Sequence, residues 1–118
     1  MPDDVSPFLP LSPATLHILL ALAGGDRHGY GIMQEVRRQS EGRYKLGPGT
    51  LYDNLQRLME EGLVEQAARR SATDDPRRRY YRLTNLGRRV LSEEIVRLED
   101  VVREAKLRLH GLRPRRAP

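Results

Sequence analysis

Six apolar residues near the end of the chain, Leu91, Ile95, Leu98, Val102, Ala105 and Leu109, stand four, three, four, three and four residues apart. That spacing repeats every seven residues, the period of a helix that lies along another helix. With Thr84 as N-cap, it predicts one helix over 85–110, roughly 40 Å long at ~1.5 Å per residue. At 118 residues the chain is expected to form one domain. A rod of that length cannot bury its whole apolar side on so small a body. Either the seam packs on the first helix of its own chain, or a second copy covers it. The length favours the second copy, and hence a homodimer. The opposite face is charged, with Glu93, Glu94, Arg97, Glu99, Asp100, Arg103 and Arg108.

Three helices are predicted ahead of this one. Ser12 is a good N-cap and Pro13 suits the first helical position. Leu16, Leu19, Leu20 and Ala23 then mark one apolar face, ended by Gly24-Gly25. A second helix is predicted from Gly29 to Glu41, with Ile32, Met33 and Val36 inward and Gln34, Arg37 and Arg38 outward. A third lies within KLGPGTLYDNLQRLMEEGLVE, Lys45 to Glu65. Its buried stripe is Leu51, Leu55, Leu58 and Met59, and Thr50, Tyr52, Asp53, Asn54 and Arg57 fall outside it. Then the period changes. LVEQAARR and RRRYYRLT read as two short strands around the turn-forming SATDDP, a β-hairpin. Tyr80 and Tyr81 alternate across the second strand, so one of them is expected in the core.

The formal net charge is +5, and residues 63–89 alone hold that excess, with eight basic and three acidic side chains. Arg69, Arg70, Arg77, Arg78 and Arg79 flank the hairpin tip. Arginine's planar fork matches phosphate and guanine better than lysine does. A solvated face is the plainer alternative. Other chemistry finds little footing. There is no cysteine, hence no disulfide framework and no thiolate metal site. His17, His28 and His110 are scattered without metal-ligand spacing, and no nucleophile–base arrangement is suggested. No enzyme, metal or cofactor is therefore expected. The longest apolar patch, ILLALA, is far short of a membrane span, and MPDDVSPFLP lacks the pattern of a signal peptide. A cytoplasmic protein with no membrane partner is expected.

The glycines of GPGTLY pose a choice. A dinucleotide fingerprint needs three spaced glycines after a strand, and a phosphate loop needs a following Gly-Lys-Ser or Gly-Lys-Thr. Neither is present, and the preceding EGRYKL is too short and polar for a buried strand. The order helix, helix, helix, arginine-flanked hairpin instead fits a winged helix-turn-helix. The fold class expected is mainly α with a small β-hairpin, a winged helix-turn-helix followed by a long C-terminal dimerisation helix. In that fold the third helix enters the DNA major groove by its N-terminal residues. Gly47 and Gly49 would permit close approach to the backbone, and a helix N-terminus favours phosphate.

HGYGIMQEV, GPGTLYDNLQRLMEEGLVE and RRRYYRLTNLGRRVL, in that order and spacing, resemble the PadR family of bacterial transcriptional regulators. The resemblance covers Leu11 to His110, and a single last helix resembles the smaller subfamily. It implies a homodimer paired through that helix, a palindromic operator, repression and frequent control of the protein's own operon. It also implies, for some members, release from DNA by a small aromatic effector at the dimer interface. Asp53 stands where many members carry proline; it could accept from cytosine or repel phosphate. The chain also lacks the tryptophan with which some members sandwich flat drugs.

The division expected is a flexible N-terminal arm over 1–10, a DNA-binding domain over 11–84, a dimerisation helix over 85–110 and a disordered basic tail over 111–118. The candidate DNA contacts are Tyr30, Lys45, Gly49, Thr50, Tyr52, Asn54, Arg57 and the five wing arginines. Tyr30 could meet phosphate, as the resemblance implies, or pack the second helix on the third. Asn54 could bond adenine or be solvated, Arg57 suits phosphate, and Lys45 adds positive field. Asp74 and Asp75 would stand off phosphate or pair with the wing arginines. Two other classes stay open: a winged-helix module for protein partners, and a nucleic-acid binder without sequence preference.

Overall fold

A computed structural model describes residues 4–68, 75 and 77–110. After a short 3-10 turn at Ser6–Phe8 come α1 (Pro13–Ala23), β1 (Arg27–His28), α2 (Gly29–Gln39), α3 (Pro48–Glu60), β2 (Val64–Ala67), β3 (Tyr80–Leu83) and α4 (Asn85–Leu109). The chain is mostly helical with a small antiparallel sheet, a winged helix-turn-helix that continues into a long last helix, as the sequence predicts.

Local signals start and stop these helices. The Ser12 hydroxyl accepts from the Thr15 N–H at 3.2 Å and opens α1. Gly47 and Pro48 begin α3. The helix expected to reach Glu41 ends at Gln39, because Glu41 and Gly42 take φ of 54° and 78° and turn the chain left-handed.

The sheet holds one strand more than the expected hairpin. β3 lies in the middle, with β2 on one side and the two-residue β1 on the other. Gln66 faces Tyr81 across β2 and β3, and Arg27 faces Tyr81 from β1. One of Tyr80 and Tyr81 was expected in the core, yet both are buried. Tyr81 joins the main core, while Tyr80 meets the His28 ring edge-on at 5.3 Å. The added strand covers the edge of β3 that a two-stranded hairpin would leave open.

Ile18, Leu19, Leu22, Ile32, Val36, Leu51, Leu55 and Leu58 form the centre of the core. Of the expected face of α1, Leu19 is buried and Leu16 and Leu20 pack half-buried against the core, while Ala23 is exposed. Thr15, Ile18, Ala21 and Leu22 are buried as well. This helix is apolar nearly all round, so its composition does not fix its rotation. Residues 4–10, within the expected flexible arm, lie against the body. Val5 is buried, and Phe8 and Leu9 pack on the core.

α4 is anchored only at its start. Gly87 sits so close to the residue that leads into β2 that a Cβ there would lie 2.1 Å from the Leu63 carbonyl oxygen. Val90 and Leu91 join the core, and Glu94, at 1% exposure, is the last buried residue of the helix. Its carboxylate accepts from Arg97 Nε at 2.7 Å and from the Leu11 N–H at 3.1 Å. Hydrogen bonds from Arg97 hold its carboxyl below the usual carboxylate range, against the opposing effect of burial. From residue 99 to the end of the helix every side chain is exposed.

Candidate nucleic-acid interface

The start of α2, the outer face of α3 and the approach to β3 enclose a cleft of about 430 Å³. Gly29 and Tyr81 are its buried members, and Tyr30, Tyr52, Arg77, Arg78 and Arg79 are its exposed ones. Tyr30 and Tyr52 are 60% and 48% exposed, too open to count as core aromatics. Burial pushes the Tyr81 phenol up, the neighbouring Tyr52 adds to the rise and Arg79 opposes it. Tyr81 therefore keeps its proton at neutral pH. Candidate residues from Tyr30 to Arg79 thus share one surface with a concentrated positive charge.

His28 belongs to the same cleft, although as one of three scattered histidines it drew no role. It caps α2: Nδ1 accepts from the Gly31 N–H at 3.0 Å. The other ring nitrogen, Nε2, stands 3.1 Å from Arg78 Nη1, which joins the start of α2 to the wing arginines. The signal in the sequence was its place just before Gly29, where a cap belongs.

The wing arginines are held unequally. Arg77 pairs with Asp75, which accepts from both its backbone N–H, at 2.9 Å, and its guanidinium, at 3.2 Å. These bonds keep the Asp75 carboxyl below its usual range. Arg79 is exposed on the cleft. Arg69, Arg70 and Asp74 lie outside the described residues.

At the start of α3, Gly49 and Thr50 are exposed, with open space around Gly49. Lys45 is exposed too, in a second groove of about 600 Å³ shared with Tyr30, Arg37 and Arg38. Asn54 and Arg57 also carry bonds within the chain. The Asn54 amide donates to the Thr50 carbonyl at 2.8 Å, and its oxygen accepts from the Arg57 guanidinium and from the Thr15 hydroxyl. Arg57 also donates to Thr15 Oγ1 at 3.1 Å and pairs with Glu61. Both side chains take part in tying α3 to α1. Thr15, buried and 39 residues away from Asn54, supplies the attraction.

The expected dimer seam divides. Leu91 lies in the chain's own core and Ile95 packs against it, because the first turns of α4 still face the body. Leu98 is half-buried, and Val102, Ala105 and Leu109 are exposed. Val96, Val101 and Leu107 add further exposed apolar surface. Among the described residues no helix is long and apolar enough to cross a membrane, and no cluster of three His, Cys, Asp or Glu could hold a metal.

The fold is a winged helix with an arginine-rimmed cleft beside its third helix. The PadR-like transcriptional regulator family model matches residues 18–93, and the chain belongs to that family. Its relatives include the transcriptional regulator Rv3488 of Mycobacterium tuberculosis, 40% identical over 89 residues that cover 75% of this chain and 78% of that one. A PadR family regulator from Clostridium difficile R20291 superposes with a TM-score of 0.64 at 26% identity, over 85% of this chain and all of that one. Bacillus subtilis PadR, solved in complex with operator DNA, shares the fold with a TM-score of 0.62 at 19% identity, over 92% of this chain and 52% of that one. The family is one of transcriptional regulators, not of enzymes.

Proposed function

We propose that the protein is a homodimeric repressor that binds a palindromic operator in double-stranded DNA. The observation that carries this is the single cleft uniting Tyr30, Tyr52 and Arg77–Arg79 beside the exposed start of α3. In this reading Gly49, Thr50 and Tyr52 meet base edges in the major groove. Tyr30, Lys45, His28 and the wing arginines hold phosphates, which fix register without reading sequence. Asn54 and Arg57 support the helix from behind. The operator-bound state of Bacillus subtilis PadR supports duplex DNA as the partner.

The exposed apolar residues of α4 beyond Glu94 pair with those of a second copy. Pairing sets the distance between two reading heads, with half-sites about one helical turn apart, ~34–36 Å. A small-molecule effector would act between the paired helices, by binding one arm angle better than another.

Selection of bound sequences from a random duplex pool, with competitor DNA present, tests the reading. A recovered palindrome with half-sites near one turn apart is the expected result. An unenriched pool would leave a charged winged-helix module whose partner is a protein or whose nucleic-acid binding follows charge alone.

A further inference from the structure

Gly29 opens α2 with an ordinary helical backbone. The glycines with positive φ are Gly25, Gly42 and Gly62, and Gly29 is not among them. Glycine here is therefore not required by conformation, and alanine would be the better helix former. Space is what it supplies. A Cβ built on Gly29 would lie 2.1 Å from the Tyr52 hydroxyl oxygen and 2.8 Å from Cζ. Tyr52 comes from the outer face of α3, and Gly29 is buried beneath it in the cleft.

We infer that Gly29 is a positioning residue for DNA recognition: its missing side chain is the seat that holds the Tyr52 phenol across the start of α2. Tyr52 is half-exposed, and a free tyrosine on a helix surface samples several rotamers. Seated on Gly29, the ring is fixed before DNA arrives, and binding does not have to order it. The seat also ties the reading helix to α2, where Tyr30 and His28 stand beside the wing arginines. The contact is thus a joint between the groove-reading and phosphate-holding parts of one surface. Gly87 differs in kind. There the obstructing atom is a backbone oxygen, Leu63 O, which cannot move aside. At Gly29 it is the end of a side chain, so an added methyl evicts the phenol and leaves the fold intact.

This inference rests on the assignment of Tyr52 to DNA contact, and a double-mutant cycle separates the two. Gly29→Ala, Tyr52→Ala and the double variant are titrated with the duplex most enriched from the random pool and with a scrambled duplex of equal composition. Thermal midpoints are recorded for each. Gly29→Ala is expected to weaken binding to the selected duplex about tenfold, the scale of one lost groove contact. Scrambled duplex should bind as before, and the midpoint should be unchanged or higher. In the Tyr52→Ala background the same change should cost nothing further, since the phenol it displaces is gone. Wild-type binding by Gly29→Ala, alongside weakened binding by Tyr52→Ala, overturns the seat alone. Equal losses from Gly29→Ala with and without Tyr52 also overturn it. Wild-type binding by Tyr52→Ala overturns the assignment of Tyr52 and the seat together. If Gly29→Ala lowers the midpoint and Tyr52→Ala does not restore it, the glycine is structural and the inference fails.

Discussion

Helices α3 and α4 are both amphipathic, and they end in opposite situations. In α3 the apolar stripe is consumed at home: Leu51, Leu55 and Leu58 are fully buried, and the outer face presents Gly49, Thr50, Tyr52 and Asp53. In α4 the fully buried residues lie within the first ten. The remaining fifteen span roughly 22 Å at ~1.5 Å per residue, and they leave Val96, Val101, Val102, Leu107 and Leu109 uncovered, the last at 79% exposure. An apolar stripe does not name its own partner; the size of the body decides how much of it is spent internally. What remains uncovered names the partner's chemistry: polar and charged at α3, apolar at α4.

The largest expected effect separates the two stripes. Leu55→Ala should cost about 2–5 kcal/mol of folding stability, as for other large-to-small changes in a packed core, read from denaturant unfolding. Val101→Glu with Val102→Glu should leave the thermal midpoint of the dilute protein near wild type. In sedimentation the same pair should weaken self-association at least about a hundredfold, as charges in a desolvated interface do. A loss of intrinsic folding in the arm variant would break the comparison, since it would mean that the arm is covered by its own chain.

A smaller effect is expected at Glu94, where the anchored and free parts of α4 meet. Glu94→Ala leaves Arg97 and the Leu11 N–H without their acceptor, at a cost of about 1–3 kcal/mol. The carboxylate also links stability to pH. Its folded value is depressed, so its contribution is complete above the unfolded value of about 4.3. It is lost as the pH falls through the lower folded value. Glu94→Gln should flatten that part of the decline in thermal midpoint between pH 5 and 3, on the order of the range where carboxylates titrate. An unchanged acid profile would remove Glu94 as the link.

The smallest effect sharpens the account of α3. Asn54→Ala should lower stability by about 1 kcal/mol, the scale of a lost side-chain hydrogen bond, and leave the selected DNA sequence unchanged. A shifted base preference would return Asn54 to the reading face.

These cases also mark what the sequence could reveal. The Ser12 and Thr84 starts were readable because a cap and its target lie within three residues. The helix order and the stripe of α3 were readable because polar and apolar residues alternate sharply there. The rotation of α1 was not, since nearly every side chain in it is apolar. β1 was invisible: two residues become a strand only because Tyr80 and Tyr81, more than fifty positions later, offer a free edge. Asn54 and Arg57 stand outside the stripe by helical phase, and their bonds to a buried hydroxyl on α1, some forty positions earlier, leave no local mark in the sequence. The division of the α4 seam at Glu94 depends on where the body ends, which no local pattern records.

Thr84 has a consequence of another kind. It is the single residue between β3 and α4, and its hydroxyl donates to the Gly62 carbonyl at 2.6 Å while accepting from the Gly87 N–H at 3.0 Å. Its own N–H reaches the Leu63 carbonyl at 3.1 Å. With no slack in the connection, the phase of the arm is counted off from the wing. One inserted residue would turn the exposed valines by about 100° and advance them ~1.5 Å. Over evolutionary time, insertions at this junction would change which way a partner faces in discrete steps, whereas insertions at the hairpin tip would leave that geometry untouched.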